Sequence, residues 1–112
     1  MRYDVVLVPF PFDDLTGSKV RPAVCLTDPV GHHRHVVLAF ITSAVPTVLE
    51  LTDILLEPSD ANFSAAGLKV RSALRLHRMV TVSAGLIQRQ LGVLTPSLAG
   101  QVQQRLRGLF AI

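Results

Sequence analysis

A chain of 112 residues, 49% hydrophobic, can bury one core and leaves little room for a second, so residues 1–112 are expected to form a single domain. Its one cysteine, Cys25, excludes an intramolecular disulfide and a four-cysteine metal site, and its longest nearly uncharged stretch, Val36 to Leu49, falls short of the roughly 20 apolar residues that a membrane-spanning helix needs. The net charge is +3 and nine of the eleven basic residues are Arg, whose planar fork of donors matches phosphate oxygens, so composition leans slightly toward an anionic polymer as partner.

The first expected element is a buried strand over Tyr3 to Phe10, apolar and β-branched, ended by prolines that cannot donate to a sheet ladder. Asp4 two residues after Arg2, together with Pro9 and Pro11, argues against a secretory signal and for a cytoplasmic protein. A Gly17-Ser18 turn leads into a second strand over Val20 to Thr27, and Asp28-Pro29-Val30-Gly31 marks the turn before a third over Val36 to Thr42. Cys25 lies inside an apolar run and is expected to be a buried, inert thiol. Leu49 to Leu56 and Ala73 to Val82 supply further strands. Ser83 to Leu91 reads as a short helix with Gly92 as its left-handed cap. Thr95-Pro96 then starts a terminal helix, with Leu98, Val102, Leu106, Leu109 and Phe110 recurring at helical spacing to face the sheet. This order predicts a mainly β small barrel with a C-terminal helix.

The run Val5-Val6-Leu7-Val8-Pro9-Phe10-Pro11-Phe12-Asp13-Asp14-Leu15-Thr16-Gly17-Ser18-Lys19-Val20-Arg21-Pro22-Ala23-Val24 resembles the amino-terminal signature of the MazF/PemK family of toxin endoribonucleases. The resemblance continues through Ile41-Thr42-Ser43 and Ala73-Leu74-Arg75-Leu76 to Leu86-Ile87-Gln88-Arg89-Gln90-Leu91-Gly92. It implies an SH3-like barrel of five to seven strands with a terminal helix, usually working as a homodimer. It further implies the toxin of a toxin–antitoxin pair: a sequence-selective mRNA interferase that cuts single-stranded RNA with no metal or other cofactor. The implied partner is a small acidic antitoxin whose disordered tail folds along a basic groove, and with which the toxin binds DNA.

Cutting RNA without a metal requires that the ribose 2'-OH lose a proton, that charge developing on phosphorus be neutralised, and that the departing 5' oxygen gain a proton. By resemblance, Arg21 in Lys19-Val20-Arg21-Pro22 is the catalytic Arg that stabilises the phosphorane; the alternative is an ion pair with Asp13 or Asp14. Thr42 matches the family's hydroxyl position, where it orients phosphate, a Thr hydroxyl being too weakly acidic to serve as general base. Arg75 matches a second family Arg. Two residues on, where some members carry an acid, stands His77. Residues two apart in a strand share a face, and imidazole titrates near neutrality, so His77 is a candidate general base or acid, or else a partly buried strand histidine.

Phe10 and Phe12 are placed to stack on unpaired bases or to plug the barrel end, and Lys19, Ser43, Lys69, Arg71 and Arg78 are candidate RNA contacts. His32-His33-Arg34-His35 invites a metal reading, but no cysteine or acid completes a ligand spacing, and a polar hairpin turn is the expectation. Two other functions stay open on sequence alone. One is a gyrase poison of the same fold, acting through the end of the last helix; the other is an inactive RNA-binding module in which His77 replaces a necessary acid.

Overall fold

The structure is a computed structural model, describing residues 1–10 and 19–112. The expected Gly17-Ser18 turn, Phe12 and the two acids Asp13 and Asp14 lie outside the described residues, and Phe10 is described in its backbone alone.

Six strands form one antiparallel sheet: β1 (Asp4–Phe10), β2 (Lys19–Cys25), β3 (His35–Thr42), β4 (Asp53–Leu56), β5 (Ser72–Ser83) and β6 (Arg89–Val93). Their order is β4-β5-β3-β2-β1-β6, and the sheet curves into a half-barrel with a single helix, α1 (Pro96–Phe110), on one side. The apolar runs of β1, β2 and β3 are continuous because both faces of these strands are buried. Val5, Val24, Ala39 and Ile41 join a core with Leu98 and Val102 of α1. The intervening Val6, Val8, Ala23, Cys25, Leu38 and Phe40 fill a second core on the opposite face.

Thr95 caps α1 as its sequence predicts, its side chain accepting the Leu98 amide at 3.3 Å with Pro96 at the first helical position. Leu98 and Val102 are buried and Leu106 packs against the core, but the expected inward face stops there: Leu109 and Phe110 are exposed.

The helix expected over Ser83 to Leu91 is not formed. A 3-10 turn covers only Ala84–Leu86, and Arg89–Val93 is the edge strand β6 paired to β1. Gly92 is no cap; it sits opposite Val5 inside the ladder. A Cβ on it would lie 2.2 Å from the Ala65 carbonyl oxygen and 2.5 Å from the Ala66 carbonyl carbon, so the residue is Gly because another backbone passes against it.

β5 carries the irregularity that shapes the site. Ala39 pairs with Met79 and Ile41 with Leu74, so two steps along β3 are matched by five along β5. This wide bulge turns the strand over. Leu74 and Leu76 belong to the core under α1, whereas Val80 and Val82 pack on the opposite core, although regular alternation would put all four on one face.

Candidate active site

At the bulge, the central strands β2, β3 and β5 together open a pocket of about 140 Å³. Arg21 of β2, Phe40, Ile41 and Thr42 of β3, the following Ser43 and Ala44, and Arg75 and Arg78 of β5 line it. Five residues that the sequence singles out for catalysis or RNA contact, Arg21, Thr42, Ser43, Arg75 and Arg78, are thus brought together. Arg75 and Arg78 are three apart, a spacing that alternation would place on opposite faces; the bulge puts both on the pocket.

Thr42 ends β3, where it pairs with Ala73, and its Oγ1 accepts the Ala44 amide at 3.1 Å. That bond uses a lone pair and leaves the hydroxyl proton to donate. Arg75 is fixed by an acid that the sequence pattern did not single out. Asp53, its direct partner across the β4–β5 ladder, accepts from Arg75 Nε at 2.9 Å on Oδ1 and from Nη2 at 3.4 Å on Oδ2. The Asp53 carboxylate is wholly buried, and its Oδ2 also accepts the Glu50 amide at 2.9 Å. Burial alone would raise the Asp53 carboxyl; the Glu50 amide, the Arg75 guanidinium and the charge of His77 outweigh it and hold the group below the usual carboxylate value. One sequence signal was available: an acid opening the apolar run Ile54-Leu55-Leu56 cannot be buried without a cationic or donor partner.

His77 does share a face with Arg75, as the spacing of two implies, but it does not line the pocket. The two residues flank a shallow depression of about 390 Å³ with Glu50, Leu51, Thr52 and Leu109, and the His77 Nδ1 lies 2.6 Å from Thr52 Oγ1. Among the described residues Arg75 alone borders both hollows.

The remaining candidates are dispersed. Lys19 is exposed at the start of β2, opposite Phe10 of β1. Lys69 is exposed ahead of β5, and Arg71 pairs with Glu57. His32 to Arg34 form the predicted polar turn, closed by a Val30–His35 bridge. The rings of His33 and His35 stack there with centroids 5.8 Å apart, and among the described residues no group of three or more His, Cys, Asp or Glu is arranged to hold a metal ion. Cys25 is fully buried, and burial, with the nearby Asp4 charge, pushes its thiol up to about 11, which fits an inert packing role. Among the described residues no helix is long and apolar enough to cross a membrane.

The fold has close counterparts among solved structures. The Mycobacterium tuberculosis toxin MazF-mt6 superposes with a TM-score of 0.73 at 21% identity, over 97% of each chain. An endoribonuclease from a mycobacterial species, solved in complex with its cognate antitoxin, gives 0.69 at 19% identity over 100% of this chain and 95% of its own. A further mycobacterial endoribonuclease gives 0.70 at 16% identity, over 100% and 92%. No curated protein matches the sequence. The sequence model of the PemK-like, MazF-like toxins of type II toxin-antitoxin systems matches residues 1–110, and the chain belongs to that family.

Proposed function

We propose that this toxin is an endoribonuclease that cuts single-stranded RNA, selectively by sequence and without a metal. The 2'-OH attacks the adjacent phosphorus, the bond to the 5' oxygen breaks, and the products end in a 2',3'-cyclic phosphate and a 5'-OH. One observation carries this reading: three guanidinium-bearing residues and the hydroxyl of Thr42, from three strands, line a single pocket. Guanidinium stays charged at every working pH, so Arg21 and Arg75 act as fixed cations for the phosphorane, with Arg78 holding a flanking phosphate. Thr42 donates its hydroxyl proton to a non-bridging oxygen. His77, with Nδ1 engaged by Thr52, keeps Nε2 for a proton or for RNA in the adjoining depression.

Ser43 and Lys19 extend the RNA contacts, with Lys69, Arg71 and the phenylalanines Phe10 and Phe12 as further candidates. The toxin acts as a cytoplasmic homodimer and is neutralised by an acidic antitoxin, with which it binds DNA. Family membership and the structural counterpart solved with its cognate antitoxin support that pairing.

The test is incubation of purified protein with a long unstructured RNA in excess EDTA. Discrete cuts with cyclic phosphate ends are expected, and a substrate with deoxyribose immediately 5' to the cut phosphate should resist. Arg21→Ala should slow cleavage by about 100-fold or more while the protein stays folded. Equal cutting of the deoxyribose substrate refutes the chemistry, and wild-type rates from folded Arg21→Ala refute the site.

A further inference from the structure

We infer that Asp53 is a positioning residue: it grips one edge of the Arg75 guanidinium and thereby aims the remaining N–H groups of Arg75 at the scissile phosphate. The inference rests on the endoribonuclease reading above.

Arginine has five N–H donors on a rigid plane. Asp53 engages Nε and Nη2 through its two oxygens, so the plane is fixed by contact along one edge, and the donors of the opposite edge remain for a ligand. Arg75 borders the pocket that Arg21 and Thr42 line and is only 23% exposed. A phosphate seated there therefore meets a guanidinium already oriented, which lowers the cost of ordering a long side chain during the reaction.

The grip is itself anchored on three sides. Asp53 Oδ2 accepts the Glu50 amide, and the Asp53 amide donates back to the Glu50 carbonyl at 3.0 Å, so the acid closes its own turn. Arg105 of α1 donates to the Leu51 carbonyl at 2.6 Å. On the next residue, the Thr52 carbonyl accepts the Leu76 amide at 2.9 Å and the Thr52 hydroxyl meets His77. The turn over 50–53 is thus tied to the helix and to β5 beside Arg75.

A buried ion pair is a poor source of net stability, because the desolvation of both charges offsets their attraction. Orientation is what the Asp53 pair adds, and it can be separated from folding by a double-mutant cycle on RNA cleavage. Asp53→Asn keeps the shape but weakens the grip and cannot accept the Glu50 amide on its nitrogen. It should lower kcat by about 10- to 100-fold, the range a displacement near 1 Å produces. KM should hold to within about twofold, because many phosphate contacts along the RNA set binding. In an Arg75→Gln background the same change should cost less than about twofold, since the residue it positions is gone. Asp53→Glu retains the charge while displacing the carboxylate; an intermediate kcat is expected, and it decides the matter if Asp53→Asn does not fold.

Full kcat in a folded Asp53 variant, or an equal loss with and without Arg75, overturns the positioning role and leaves the nuclease reading intact. A wild-type protein that cuts no RNA overturns the nuclease reading, and the inference falls with it.

Discussion

Replacing Thr42 by Val probes the pocket with little disturbance to the fold. Thr42 is partly buried at the end of β3, and Val has nearly its volume and an equal preference for strands. Only the hydroxyl is lost. On the structural side its oxygen accepts the amide of Ala44, an exposed residue whose N–H can turn to water instead. The cost then sits at the low end for a hydrogen bond, about 0.5 kcal/mol, or roughly 2 °C in melting temperature for a domain of this size. On the kinetic side the lost proton is a preorganised donor to an oxygen gaining charge, and removing one such donor costs about 100- to 1000-fold in rate, or about 2.7–4 kcal/mol. The second effect is at least about five times the first, so rate and stability should separate. Single-turnover cleavage of a fluorescent RNA, with thermal unfolding of the same preparations, measures both; Thr42→Ser should recover most of the rate. A Val variant that melts normally and cuts at the wild-type rate would show that the hydroxyl takes no part.

Two further outcomes concern the scaffold. Gly92→Ala should destabilise the protein by about 1–3 kcal/mol or more, since its methyl meets backbone at Ala65 and Ala66 and no flexible side chain can yield; an unchanged denaturation midpoint would mean that this contact is not close. Because the Asp53 carboxyl is held below its ordinary value in the folded state, the stability it contributes is present above the unfolded carboxyl value of about 4 and is lost as pH falls through the lower folded value. Urea midpoints followed downward from pH 5 should therefore drop less steeply for Asp53→Asn than for wild type, and equal slopes would contradict the pairing with Arg75.

Most of the sheet was legible because β1, β2, β3 and β5 are apolar runs bounded by Pro, Gly and Asp, and the helix was legible from Thr95-Pro96 and the spacing of Leu98 and Val102. β6 was misread. Gly after a short polar-apolar segment looks the same whether it caps a helix or makes room for Ala65 and Ala66, and that second neighbour lies far away in sequence. The convergence of Arg21, Thr42 and Arg75 was available from motifs, whereas the place of Arg78 depends on a bulge that alternation cannot foretell. Asp53 stayed hidden for a related reason: it is 22 residues from Arg75, and only the β4–β5 register makes them neighbours.

The reversal in β5 also limits how the segment can change length. A one-residue slip of either arm against β3 would exchange inside for outside along that arm, sending either Leu74 and Leu76 or Val80 and Val82 toward solvent. Length changes confined to the bulge leave both ladders paired and alter only how the bulged segment presents Arg78. Length variants of β5 should therefore be viable only between Leu74 and Met79, and one-residue insertions elsewhere in the strand should expose one of its two apolar pairs.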